Sequence, residues 1–94
     1  MNRKEIPIFS GVVQYFPDAI KEVAKVSFIG NEQHNKGQPL HWAREKSSDH
    51  LDALMRHLTD YASGEKVDDD GQLHIAKVIW RAMAQAQLDI ENEK

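Results

Sequence analysis

Glu32, Asp49 and Asp52 are the carboxylates whose spacing best suits shared chemistry. Asp49 and Asp52 stand at i and i+3, so a helix carries both on one face. Facing Glu32 across a helical hairpin, they can hold a hard divalent cation through oxygen. Glu22, two turns before Glu32, joins them only if that helix is straight. A plainer reading exists for the same residues. Asp49 at a helix start favours the positive end of the dipole, and Asp52 pairs with Arg56 at i+4.

Two further groups carry chemical potential. The histidines are His34, His41, His50, His57 and His74. None forms a His-x-x-x-His pair, and Asp49-His50 reverses the order of the His-Asp dyad in metal phosphohydrolases, so the spacing disfavours zinc. His57 follows His50 by seven residues, close to the same helix face, where either ring orients a carboxylate or a water, or simply bonds to backbone. The run His41-Trp42-Ala43-Arg44-Glu45-Lys46, with Lys36 upstream, sets an indole among cations. Such a run offers a face on which a base stacks and charges that meet phosphate oxygens. The alternative for Trp42 is a loop anchor packed on the core. Lys77 and Arg81 either complete a phosphate-facing wall or form a solvated edge. There is no glycine-rich phosphate loop, no Gly-x-Ser-x-Gly elbow and no cysteine nucleophile, and Ser47 and Ser48 read as helix caps.

The elements that must position these residues are helical. Residues 1–16 mix Ile6, Ile8, Phe9, Val12, Val13, Tyr15 and Phe16 with Pro7 and Gly11, which suits an extended arm lying in a groove. Pro17 opens a helix over about 17–33, where Ala19, Ile20, Val23, Val26 and Ile29 recur at spacings of three and four. Gly37 and Pro39 make 34–46 a long loop. A second helix begins near Ser47 or Ser48, carries Leu51, Leu54, Met55, Leu58 and Ala62 as its stripe, and stops at Gly64. The acidic turn 64–71 supplies aspartates to cap a third helix over about 71–91. That helix is apolar around most of its circumference, with His74, Lys77, Arg81 and Gln85 as its polar stripe. Such a helix needs cover on several sides, which a second copy of the chain would supply.

With 94 residues, 12 basic against 15 acidic side chains and no cysteine, the chain reads as a single domain over 1–94, with an extended arm at 1–16 and helices over 17–91. A chain this short buries about 60% of its unfolded surface, so self-association or a metal is the open route to stability, disulfides being excluded. No stretch approaches the roughly 20 apolar residues that span a bilayer, and no signal core follows the amino terminus, which gives a cytosolic expectation without membrane. The mild acidity leaves no footprint for a nucleic-acid polymer. The fold class expected is all-α, a small helical bundle with an extended arm, completed by self-association.

Five segments then stand together in one order: Gly30-Asn31-Glu32-Gln33-His34-Asn35, Leu40-His41-Trp42-Ala43-Arg44, Asp49-His50-Leu51-Asp52, Arg56-His57-Leu58 and His74-Ile75-Ala76-Lys77-Val78-Ile79-Trp80-Arg81. In that order they resemble the small phage-encoded dATP/dGTP diphosphohydrolases, a branch of the MazG-like all-α nucleotide pyrophosphohydrolases, over about residues 12–90. The resemblance implies a dimeric or tetrameric bundle in a host cytoplasm. It implies Mg²⁺ or Mn²⁺ on helix carboxylates, and a purine deoxynucleoside triphosphate cut to monophosphate and pyrophosphate. The wider signature is Glu-Glu-x-x-Glu on one helix and Glu-x-x-Asp on the next. Asp49 and Asp52 fill the second element, whereas Glu32 with Asn35 is a reduced first element that Glu22 supplements. The implied roles are Glu32 as base toward the attacking water, and Lys36, Arg44, Lys46 or Lys77 against the leaving pyrophosphate. Trp42 or His41 contacts the base, and Asn35 and His57 support the carboxylates. The competing expectation is a non-enzymatic helical interaction or regulatory protein of phage origin, which gains no stability from nucleotide and metal.

Overall fold

The computed structural model describes residues 1–93. Three helices dominate it: α1 (Pro17–Asn35), α2 (His50–Ala62) and α3 (His74–Asn92). No strand forms among the described residues, and one isolated antiparallel bridge joins Val67 to Leu73. The all-α expectation holds, and the helices lie within a few residues of the predicted spans. No helix among the described residues is long and apolar enough to cross a membrane.

Local chemistry explains the helix boundaries. Pro17 sits in the first turn of α1, where its missing N–H costs nothing and its fixed φ suits the helix. At the end of α2, Gly64 takes φ +98°. Its N–H donates to the Tyr61 carbonyl and the Glu65 N–H to the Asp60 carbonyl, the paired bonds of a Schellman stop. Ser47 and Ser48 do not cap α2. Asp49 is the cap residue, without a side-chain bond to the free N–H groups of the first turn, because its carboxylate is taken by Ser47 Oγ and by the Arg56 side chain two turns along. Nor do the turn aspartates cap α3, whose cap residue is Leu73; Asp68 and Asp70 instead accept from Lys77 Nζ.

The arm departs from expectation. Residues 1–16 coil rather than extend, with a 3₁₀ turn at Arg3–Glu5 and a π-helical turn at Phe9–Val13. Asn2 and Glu5 form a capping box that closes the first turn. The Gly11 N–H donates to the Pro7 carbonyl at 2.7 Å, and a Cβ at Gly11 would stand 3.2 Å from the Pro7 ring, so glycine permits the second turn. Ile6, Ile8, Phe9, Val12, Tyr15 and Phe16 remain exposed.

Packing centres on α3, which contacts both α1 and α2, while α1 and α2 do not pack on each other. The hydrophobic side chains that are fully buried are alanines, Ala53, Ala76 and Ala84, and the largest fully buried side chain is His50. Small residues let α2 and α3 approach closely, with imidazoles between them. The polar stripe of α3 turns inward: His74 is 2% exposed and the Lys77 side chain 15%. Ile75, Ile79, Met83 and Ile90 face outward.

Two glycine substitutions test this local account. Gly64→Ala should cost about 1 kcal/mol, because an L side chain pays for the left-handed stop. Gly30→Ala, where an added Cβ meets nothing within 4 Å inside α1, should gain about 0.5–1 kcal/mol. Urea unfolding of the two variants should move the midpoint in opposite directions.

Candidate functional site

Polar residues on α1 and α3, together with the loop between α1 and α2, enclose a cleft of about 750 Å³. Ser27, Asn31 and His34 form its α1 wall, Lys77, Trp80 and Arg81 its α3 wall, and Leu40 to Ala43 a side of loop. Trp80 Nε1 donates to Ser27 Oγ at 2.8 Å, tying the helices together at the cleft. The Trp42 and Trp80 rings meet edge to face at 5.9 Å, and each lies about as close to the His50 ring, 6.3 and 6.2 Å. Arg44 covers the Trp42 ring at 4.4 Å and is itself anchored by Glu91. Trp42 therefore serves both as loop anchor and as cleft wall.

Three polar atoms in this wall are buried without a protein hydrogen-bond partner: Asn31 Oδ1, His50 Nε2 and Gln72 Oε1. Their chemical character is fixed by neighbours. Asn31 Nδ2 donates to the Gln38 carbonyl at 2.8 Å, and Gln72 Nε2 to Asp70 at 3.0 Å, which leaves both amide oxygens as acceptors. Arg81, which only donates, stands 3.0 Å from His50 Nδ1. Burial and the Arg81 charge both lower the His50 pKa, which favours the neutral ring, and with Nδ1 accepting from Arg81 that ring carries its proton on Nε2. The cleft thus offers one buried donor and two buried acceptors, and a buried polar group left unpaired costs about 1–3 kcal/mol.

The lining also inverts the charge of the chain. Lys46, Lys77 and Arg81 face Asp70 alone, in a protein whose formal charge is -3. The profile of the dATP/dGTP diphosphohydrolase N-terminal family matches residues 6–94. The chain belongs to that family. No curated protein and no solved structure matches it.

In this diphosphohydrolase-family chain, the cleft collects Asn35, His41, Trp42, Lys46, His57 and Lys77 of the residues named from sequence. Lys36 and Arg44 lie outside its lining, both exposed. Glu32 is half-buried on α1, Asp52 is exposed on the first turn of α2, and neither lines the cleft. Glu22 pairs with Lys25 at 2.6 Å and borders a separate small hollow. Arg56 pairs with Asp49 at 3.2 Å rather than with Asp52, and the Ser47 hydroxyl and Arg56 hold the Asp49 carboxyl below its ordinary pKa. The helical hairpin that would bring Glu32 to Asp49 and Asp52 is absent, because α3 packs against both helices and α1 does not touch α2. Glu32, Asp49 and Asp52 are therefore not among the ligand groups that one chain brings together. Among the described residues, the ligand groups that do converge are His57 with Asp68 and His74, and Asp60 with Glu65 and His74.

Asn31, His50 and Gln72 escaped the sequence reading as cleft residues. A signal was present for Asn31: Ser27, Asn31 and His34 form a polar stripe on α1 at spacings of four and three, the counterpart of His74, Lys77 and Arg81 on α3. Gln72 lies in a turn, where no periodicity marks it.

Lys77 closes the far wall through Asp68 at 2.6 Å and Asp70 at 2.8 Å. For Asp70, burial favours the neutral acid, but hydrogen bonds from Lys77 and Gln72 outweigh it and hold the pKa at about 2. Asp68 is lowered in the same direction, chiefly by Lys77. A carboxylate depressed in the folded state stabilises it above the unfolded pKa of about 4, and loses that contribution as pH falls through about 2. Urea unfolding between pH 5 and pH 2 should show this acid-side loss, and Lys77→Met should flatten it. An unchanged slope in that variant would disconnect Lys77 from both aspartates.

Proposed function

We propose that this protein hydrolyses purine deoxynucleoside triphosphates, dGTP and dATP, to the monophosphate and pyrophosphate. The observation that supports this reading most is the cleft: a basic lining in an acidic chain, next to indole rings and unpaired buried polar atoms. Its volume of about 750 Å³ is ordinary for a small-molecule site, for which roughly 300–1,000 Å³ is typical. Trp42 and His41 contact the base, while Lys46, Lys77 and Arg81 meet phosphate oxygens. Water attacks the α-phosphorus as it gives a proton to the Glu32 carboxylate of the assembled site, the bond from that phosphorus to the bridging oxygen breaks, and pyrophosphate leaves with its charge met by these cations.

Divalent Mg²⁺ or Mn²⁺ belongs to the proposal as the partner of the triphosphate, whose charge it offsets. The carboxylates of Glu32, Asp49, Asp52 and Glu22 belong to it only in an assembly of several chains. Self-association, as a dimer or tetramer in a host cytoplasm, is supported by the exposure of Ile79, Met83 and Ile90 on α3 and of Leu51 and Met55 on α2.

Incubation with dGTP or dATP and Mg²⁺ or Mn²⁺, with separation of mono-, di- and triphosphates, tests the reaction. Monophosphate with matching pyrophosphate is expected, and Trp42→Ala should raise KM about tenfold by removing a stacking face. No product from any triphosphate would favour a helical interaction or regulatory protein instead. Light scattering after size exclusion should give a mass of at least two chains, reduced in Met83→Glu; a monomer at micromolar concentration would sink the assembly.

A further inference from the structure

We infer that His57, His74 and Asp68 form a binding site for a divalent transition ion that takes imidazole nitrogen, separate from the carboxylates of Glu32, Asp49 and Asp52. The inference stands on the geometry of the chain and does not depend on the hydrolysis proposed above.

His57 Nδ1 and His74 Nδ1 face each other at 3.0 Å. Two nitrogens bound to one tetrahedral ion at 2.0–2.1 Å would be roughly 3.3 Å apart. The Asp68 carboxylate lies 3.9 Å from His57 Nδ1, and ligand atoms of all three residues fall within 4.8 Å of one another. Two neutral imidazoles and a carboxylate are a donor set that suits Mn²⁺, Co²⁺ or Zn²⁺ and is poor for Mg²⁺, which prefers oxygen and water. His57 is supplied by α2, His74 by the first turn of α3, and Asp68 by the bridged turn between them, so the site spans a stretch that three independent local structures hold rigid.

The surroundings favour a cation. Asp60 stands 4.0 Å from His74 Nε2, placing a negative charge beside the nitrogen that does not face His57, and Glu65 joins Asp60 and His74 in a second group. With Asp68 and Asp70, four carboxylates gather here against the charges of Lys77 and Arg81. Lys77 Nζ holds the same Asp68 oxygen at 2.6 Å, so loading the ion shifts Lys77 toward Asp70, its other partner. An entry path exists, because His57 lines the cleft while His74 is buried behind it. The contact between the two rings otherwise requires one imidazole to carry its Nδ1 proton toward the other; an ion replaces that proton with a charge both rings can share.

Mn²⁺ titration followed by electron paramagnetic resonance, with Co²⁺ absorption as a second probe, decides the matter without nucleotide or turnover. One bound ion per chain is expected, with nitrogen-ligand absorption for Co²⁺. His57→Gln and Asp68→Asn should weaken binding more than tenfold, exceeding the low end of what loss of even an outer ligand partner causes, while Asp18→Asn, at an exposed carboxylate of α1 outside both ligand groups, should leave it unchanged. His74→Gln removes a buried ring, so its circular dichroism is compared with that of the parent, and His57→Gln decides if it fails to fold. Absence of stoichiometric binding in the folded parent or equal affinity in His57→Gln would each overturn the site.

Discussion

Helix α3 has to satisfy a row of polar groups in the interior, and the arrangement of the molecule follows from that constraint. A polar group withdrawn from water keeps its cost unless it finds a partner. His74 finds His57 on α2, Lys77 finds Asp68 and Asp70 in the preceding turn, and Arg81 finds His50 and Ser47. Trp80 reaches across to Ser27 of α1. Each pairing joins α3 to another part of the chain, so the polar stripe fixes helix orientation as an apolar seam does in an ordinary bundle, but with directional bonds.

The same constraint accounts for the sparse hydrophobic interior. Where imidazoles and cations occupy the space between helices, only small apolar side chains fit beside them, and Ala53, Ala76 and Ala84 fill that role. Larger aliphatic groups are displaced outward onto α2, α3 and the coiled arm. A chain with so little buried aliphatic volume gains little from burial at roughly 25 cal/mol per Å², and its exposed stripes are the surface through which association would add to that gain.

The cleft is the other product of these pairings. Its lining contains groups held by partners in the chain, such as Lys77 and Trp80, and three with a polar atom left unpaired, Asn31, His50 and Gln72. The complete pairs hold the walls, and the incomplete ones define what a ligand must offer. The charge of the lining runs against the charge of the whole chain, so an anion is drawn to this surface in preference to the rest of the molecule.

The sequence by itself determined the helices, their approximate ends and the all-α class, because periodicity, Pro17 and Gly64 act within a few residues of themselves. It also determined the family, since five short segments in one order carry that information without reference to contacts. Trp42, His41, Lys46 and Lys77, which line the cleft, stood out in the sequence by their types and their loop or stripe. Tertiary structure alone decided which helix faces meet. Every amphipathic stripe was legible, but the polar side of α3 went inward, which local spacing does not reveal because the competition is among partners far apart in sequence. For the same reason Glu32 did not join Asp49 and Asp52, and His57 met His74. The first grouping required α1 to lie on α2, and the second needed only α2 on α3, the helix pair that the buried alanines allow to pack closely.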